Sequence, residues 1–65
     1  MNDIKISVAM ATYNGEKYIQ RQLESILNQS ISVDEIIVVD DNSNDKTIEI
    51  IENMNCQRIR IYKNE

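Results

Sequence analysis

Three strand-like segments alternate with two helix-like segments along residues 4–65. Residues 4–11 alternate large apolar residues with small or polar ones, which is the pattern of a β-strand with one packed face. Residues 35–40 contain four consecutive β-branched apolar residues, as in a central parallel strand with helices on both faces. Residues 58–62 alternate isoleucine with arginine and tyrosine, which indicates a half-exposed edge strand.

The two segments between these strands have apolar residues at helical spacing. Residues 16–29 carry one such stripe, made of Tyr18, Ile19, Leu23, Ile26 and Leu27. Asn14 is a candidate N-cap for this helix, and Gly15 relaxes the backbone of the turn before it. A second helix is predicted from about Asp45, an acidic residue suited to a helix N-terminus, to about residue 53. Its inward side chains are Ile48, Ile51 and Met54.

The order of these elements predicts an α/β fold. Connections between parallel strands are right-handed, so the three strands should lie in the spatial order 3-2-1. Residues 1–65 then form the parallel βαβαβ half of a three-layer, Rossmann-like, doubly wound sheet that is incomplete. The first strand is too apolar for a comfortable edge. We expect it to pair with a strand from a longer parent protein or from a second copy of the chain.

Composition excludes several classes of function. The net charge of −4 and the scattered Lys and Arg residues argue against a nucleic-acid partner. One cysteine and no histidine leave neither an internal disulfide nor a Cys/His zinc site. The apolar runs are far shorter than the ~20 residues of a membrane span, and we expect no targeting leader. A cytoplasmic location is expected, with membrane association of a longer parent left open.

Polar turns follow the first two strands. Residues 12–15 read Thr-Tyr-Asn-Gly, and residues 40–43 read Asp-Asp-Asn-Ser. In open α/β sheets, ligands bind beyond the carboxyl ends of the strands, so both turns belong to the expected ligand-binding edge. The same residue types also serve as turn and capping residues, a role that is compatible with ligand binding.

Three blocks of the sequence, residues 6–15, 23–29 and 34–47, resemble the amino-terminal part of family-2 glycosyltransferases in order and spacing. The resemblance covers nearly the whole chain. It implies the GT-A fold and the use of a nucleotide-diphospho sugar. Ala11 occupies a position at which the family often has proline, and this difference affects nothing essential.

The resemblance also implies a role for each polar residue of the turns. Tyr13 would pack on the nucleotide base, commonly uracil, by aromatic contact. Thr12 would contact the base through its hydroxyl or backbone, and Asn14 would mainly fix the turn. Asp41 would accept a hydrogen bond from the ring N–H of the base, because an ionised carboxylate is only an acceptor. Asp40 would orient the loop.

The implied activity is transfer of a sugar, expected from a UDP-sugar, to a hydroxyl acceptor such as a growing cell-surface polysaccharide. Such an enzyme needs a general base and a cation, Mg²⁺ or Mn²⁺, to offset the charge of the leaving diphosphate. In the family these residues lie beyond the segment that this chain matches. We therefore assign no catalytic or metal-binding residue within residues 1–65 and expect the isolated chain to be inactive.

Features of the sequence also support two functions other than glycosyl transfer. The first is a non-catalytic α/β module that forms a homodimer through its unpaired first strand. The second is a receiver domain, because an Asp pair after a Val-Val strand resembles the acidic pair of those proteins. Receiver domains have this pair after their first strand, whereas here it follows the second, so this alternative ranks last.

Overall fold

A computed structural model describes residues 5–29 and 33–64 of the chain. The elements in chain order are β1 (Ser7–Thr12), α1 (Ile19–Leu27), β2 (Glu35–Asp40), α2 (Thr47–Asn53) and β3 (Ile59–Lys63). This order confirms the predicted βαβαβ pattern. No helix within the described ranges has the length and apolar character needed to cross a membrane.

The three strands form one parallel sheet with β2 at its centre, which confirms the predicted spatial order. Thr12 at the end of β1 is the register partner of Asp40, which in turn is the partner of Lys63 in β3. Because the strands are parallel, their carboxyl ends lie together at one edge of the sheet. The two polar turns predicted to bind a ligand begin at this edge.

Both helices pack on one face of the sheet, where the core lies. Its buried apolar side chains are Ile19, Leu23, Val33, Ile36, Val38 and Ile51. The predicted alternation in β1 and β3 is confirmed, since Ile6, Val8, Met10, Ile59 and Ile61 pack against this core. Ile4, which was predicted to share the packed face of the first strand, lies outside the described residues.

The opposite face of the sheet is open in the described part of the chain. Val39 is 38% exposed and Tyr62 is 55% exposed, and the small residues Ala9 and Ala11 are also exposed. Two right-handed crossovers that move in the same direction across a sheet leave their helices on the same side. The residues described here therefore supply two of the three predicted layers.

The first helix differs from its prediction at its start. It begins at Ile19, three residues later than expected, and Tyr18 precedes it without a side-chain cap. Asn14 does not cap this helix; it lies in the preceding turn with φ 50°, a left-handed conformation that asparagine tolerates. Gly15, which has no positive φ, accepts the N–H groups of Tyr18 and Ile19 through its carbonyl. Tyr18 is 51% exposed and lies outside the buried stripe.

The second helix begins at Thr47, two residues after its predicted start. Asp45 precedes it and accepts a hydrogen bond from the N–H of Thr47 at 3.0 Å. Ile51 is buried and Met54 packs against the core, as predicted. Ile48 instead lines a surface cavity near the end of β3, and the first buried side chain of the helix is Thr47.

Candidate functional site

Two loops meet at the carboxyl edge of the sheet. The β1–α1 loop comprises residues 13–18, and the β2–α2 loop comprises residues 41–46. The N–H of Asp41 donates to the carbonyl of Thr12 at 2.9 Å and extends the ladder between β1 and β2 by one step. Tyr13 and Asp41 each directly follow a paired residue, so both start from neighbouring positions on this edge.

The structure leaves three of the predicted site residues exposed. Tyr13 is 55% exposed, and Asp41 and Asn14 are also exposed. Asp41 is bonded to β1 through its backbone N–H, and this bond does not involve its carboxylate. Tyr13 and Asp41 thus extend from neighbouring strand ends, and an exposed aromatic ring and an exposed carboxylate are side chains that suit a planar ligand with an N–H donor.

Asp40 lies beneath the β2–α2 loop and is only 2% exposed. One carboxylate oxygen accepts the N–H of Ser43 at 2.9 Å, and the other accepts the hydroxyl of Ser43. These bonds join the two ends of a tight turn in which Asn42 has φ 59°. Asp40 is thus bonded to its own loop, and its expected role in orienting that loop towards a ligand stays a prediction.

Thr12, like Asp40, is a predicted site residue whose side chain is buried. Its side chain is 4% exposed, and its hydroxyl has no hydrogen-bond partner among the described residues. The hydroxyl lies under Gly15, where an added Cβ would come within 2.9 Å of it and within 3.1 Å of the Tyr18 ring. The base contact of Thr12 stays a prediction, and the backbone is the part of this residue that reaches the edge.

Asn14 ties the two loops together at their exposed side. Its N–H donates to the hydroxyl of Ser43 at 2.9 Å, and its side-chain oxygen accepts the N–H of Asn44 at 2.7 Å. The turn-fixing role expected of Asn14 has here a concrete form, because the residue binds the opposite loop in both directions. The hydroxyl of Ser43 in turn donates a hydrogen bond to the carboxylate of Asp40.

A second group of hydrogen bonds links the loops on their inner side. The N–H of Gly15 donates to the hydroxyl of Thr47 at 2.7 Å, and this hydroxyl donates to Asp45. The N–H of Glu16 donates to the Asp45 carboxylate at 3.1 Å, while the Glu16 carboxylate accepts the N–H of Lys46 at 2.9 Å. Five of these hydrogen bonds join residues 14–16 to residues 43–47: the two of Asn14, the bond between Gly15 and Thr47, and the two of Glu16. We call these five bonds the loop clasp.

Sequence reasoning did not identify Glu16 and Thr47 as members of the site. Thr47 is the last residue of the block 34–47, and no role was assigned to it from the sequence. Its partner Gly15 is 32 residues away in the chain. No local pattern indicates a bond of that range, which only the parallel pairing of β1 and β2 creates.

Two carboxyl groups have lowered pKa values. Burial acts to raise the pKa of Asp45, but hydrogen bonds from Thr47 and Glu16 outweigh it and hold the pKa below its ordinary value of 3.8. The pKa of Glu35 lies below its ordinary 4.5, mainly because the Ser7 hydroxyl donates to it, with further help from Lys5 and Arg60. Lys5 and Arg60 each lie 3.4 Å from the Glu35 carboxylate.

These shifts predict a loss of stability in acid. A carboxyl with a depressed folded-state pKa stabilises the fold above its unfolded pKa and stops doing so as pH falls through its folded pKa. The melting temperature should therefore be level above about pH 4.5 and fall as the pH drops below 3.8. Thermal unfolding followed by circular dichroism checks this expectation. Asp45→Asn should make the acid fall shallower, and an equally steep fall in that variant would contradict the assignment.

Two of the cavities among the described residues border α2 and β3. One of about 470 Å³ lies at the candidate edge and is lined by Asp40, Asn42, Ser43, Asp45, Ile48, Lys63 and Asn64. It places the Lys63 side chain beside the β2–α2 loop. Another, of about 620 Å³, lies where α2 ends and β3 begins, and half-buried Cys56 is one of its lining residues. This second cavity is remote from the residues predicted to bind a ligand.

Comparison with protein families decides the class of the molecule. The family model described as glycosyl transferase family 2 matches residues 7–65. The chain belongs to this family. Membership confirms the resemblance of the three sequence blocks, and family 2 enzymes use nucleotide-sugar donors. The matched range contains both loops of the candidate site.

Individual family 2 relatives are similar to nearly the whole chain. A Haemophilus influenzae protein named "Uncharacterized glycosyltransferase" is 48% identical over 64 residues, which are 95% of this chain and 26% of the relative. A Campylobacter jejuni GalNAc(5)-diNAcBac-PP-undecaprenol beta-1,3-glucosyltransferase is 36% identical over 94% of this chain and 20% of its own length. The Escherichia coli UDP-Glc:alpha-D-GlcNAc-diphosphoundecaprenol beta-1,3-glucosyltransferase WfgD is 34% identical over 100% of this chain and 26% of its own length.

The chain thus spans between a fifth and about a quarter of the length of these relatives. The Campylobacter jejuni and Escherichia coli relatives are both named as beta-1,3-glucosyltransferases with undecaprenol-linked acceptors. The correspondence covers the sheet and the two loops described above. It does not extend to the rest of the relatives' length.

Proposed function

We propose that the chain is the nucleotide-binding amino-terminal part of a family 2 glycosyltransferase. The parent enzyme transfers a sugar from a nucleotide-diphospho sugar, with UDP as the carrier, to a hydroxyl acceptor in cell-surface glycan synthesis. The observation that carries this proposal is the placement of Tyr13 and Asp41 on adjacent strand ends within the matched range. The UDP-Glc donor named for the Escherichia coli relative supports the choice of carrier.

In this proposal each site residue has a distinct task. The exposed ring of Tyr13 packs on the uracil face, and Asp41 accepts the N3–H of the base. Thr12 lies against the base through its hydroxyl or its backbone, without accepting a hydrogen bond from it, because the only ring N–H of uracil is bound by Asp41. Asp40 and Asn14 hold the two loops in place and do not touch the base.

Transfer of the sugar requires groups that we assign to the rest of the parent. The acceptor hydroxyl must lose its proton to a base, and the leaving nucleoside diphosphate must be stabilised, which family members commonly achieve with a divalent cation. Among residues 5–29 and 33–64, no three His, Cys, Asp or Glu side chains lie together as a metal site. We expect the 65-residue chain alone to show no turnover, because the proposal places the base and the cation ligands in the rest of the parent.

A second candidate is a non-catalytic module that dimerises through β1. Within the described residues β1 pairs only with β2, so its other edge presents unpaired backbone groups. Unpaired strand edges are templates for association with another chain. Size-exclusion chromatography with light scattering tests this candidate. A strict monomer at high protein concentration would count against it.

The nucleotide proposal is tested by titrating ¹⁵N-labelled chain with UDP and with CDP in amide ¹H–¹⁵N NMR spectra. UDP should shift the amides of residues 12–15 and 40–43. CDP should bind roughly tenfold more weakly, because cytosine N3 carries a lone pair in place of a hydrogen and cannot donate to the Asp41 carboxylate. Asp41→Ala should weaken UDP binding about tenfold and remove the preference over CDP.

The matched control is Glu52→Ala, which removes the same charge from an exposed position on α2. This variant should bind UDP as the unaltered chain does. A well-dispersed spectrum that UDP leaves unchanged, or an equal loss of binding in both variants, would contradict the proposal.

A further inference from the structure

We propose that Thr47 is a positioning residue of the nucleotide site. Its buried hydroxyl holds the β1–α1 loop against the β2–α2 loop, and this contact sets the ring of Tyr13 beside Asp41. The proposal rests on the proposed function, since it concerns how the same site is built. It assigns a role in ligand binding to a residue that touches no part of the nucleotide.

The Thr47 hydroxyl is buried and fully used. The residue is 0% exposed, and a hydroxyl in such a place is costly unless it is hydrogen-bonded. It accepts the Gly15 N–H at 2.7 Å and donates to the Asp45 carboxylate. Both partners lie outside the helix that Thr47 begins, one in each loop. The hydroxyl therefore links the two loops and does not cap α2.

Gly15 connects the Thr47 hydroxyl to the residues at the ligand edge. Its N–H is held by Thr47, and its carbonyl accepts the N–H groups that start α1. Thr12 is held from the other direction by the ladder with β2. Only Tyr13 and Asn14 lie between these two fixed residues, so fixing Gly15 limits the positions that the Tyr13 backbone can take.

The remaining bonds of the loop clasp are weaker restraints. The bonds of Asn14 to Ser43 and Asn44, and those of Glu16 to Asp45 and Lys46, lie among exposed groups. Water competes for such bonds, whereas the bond between Gly15 and Thr47 is buried. Loss of the Thr47 hydroxyl leaves the buried N–H of Gly15 without an acceptor, and the loop must move to find one.

The test compares Thr47→Val, which keeps the shape and removes the hydroxyl, with Thr47→Ser, which keeps the hydroxyl. The Kd for UDP should rise about tenfold in Thr47→Val and stay within about 1.5-fold in Thr47→Ser. In the absence of UDP, amide exchange at Gly15 should accelerate at least about tenfold in Thr47→Val alone. This exchange readout does not depend on whether the chain binds a nucleotide.

Val33→Ala separates positioning from general loss of stability. Val33 is buried at the opposite end of the sheet, just before β2, and its truncation destabilises the same core. All variants are measured at a temperature at which their spectra show only the folded state. Val33→Ala should leave the Kd for UDP within about twofold. If it weakens UDP binding as much as Thr47→Val does, the positioning role is wrong.

Asp45→Asn supplies a second variant if Thr47→Val does not fold. It removes the charged acceptor of the Thr47 hydroxyl at a half-buried position and should raise the Kd for UDP about threefold. Unchanged binding in a folded Thr47→Val or in Asp45→Asn, alongside weakened binding in Asp41→Ala, would overturn the positioning role and leave the proposed function standing. Absence of UDP binding by the unaltered chain would overturn both.

Discussion

Ile36→Ala should lower the free energy of unfolding by about 2–5 kcal/mol, as truncation of a fully buried isoleucine does. Ile36 is 0% exposed in the central strand and belongs to the cluster that both helices cover. A chain of this size buries only roughly 60% of its unfolded surface and has little stability in reserve. The variant should therefore be largely unfolded at 25 °C in conditions under which the unaltered chain is folded.

Ile37→Ala is the matched control. It is the same substitution one residue later in β2, on the face that the described helices do not cover. We expect less than half the loss found for Ile36→Ala, because the Ile37 side chain is only half-buried. Urea unfolding followed by circular dichroism measures both variants. Equal losses would show that the two faces of the sheet are equally packed, which contradicts the one-sided core.

The comparison of these two residues shows how far the sequence could predict the fold. The alternation in β1 and β3 predicted which side chains face the core, because a period of two assigns alternate residues to opposite faces. The run of residues 36–39 has no such period and predicted a strand covered on both faces. Its uncovered face follows from the shared direction of the two crossovers, a property of chain order and not of side-chain pattern.

The loops show a similar limit. Tyr13 and Asp41 could be predicted as neighbours, because each directly follows a strand and parallel strands end at the same edge. Asn14 was wrongly expected to cap α1, since its side chain binds Asn44, which is 30 residues away. Thr47 was missed for the same physical reason. Local spacing identifies a residue that can accept or donate a bond, but the pairing of strands decides which distant partner is within reach.

Substitution by alanine should affect the free energy of unfolding very differently at the adjacent residues Asp40 and Asp41. Asp40→Ala should lower the free energy of unfolding by about 2–3 kcal/mol, because the N–H and hydroxyl of Ser43 lose a charged acceptor in a nearly buried site. Asp41→Ala should change it by no more than about 0.5 kcal/mol, as is usual for an exposed side chain. Urea unfolding of both variants measures the difference.

The reason for this contrast is the alternation of side chains at the end of a strand. Asp40 continues the core face of Ile36 and Val38 and so points beneath the β2–α2 loop, whereas Asp41 emerges beyond the ladder into solvent. One carboxylate can then hold the loop while its neighbour stays available to a ligand. UDP titration of the folded fraction completes the test, since the Kd should rise about tenfold in Asp41→Ala and less than that in Asp40→Ala. A stability loss in Asp41→Ala equal to that in Asp40→Ala would show that both carboxylates are structural.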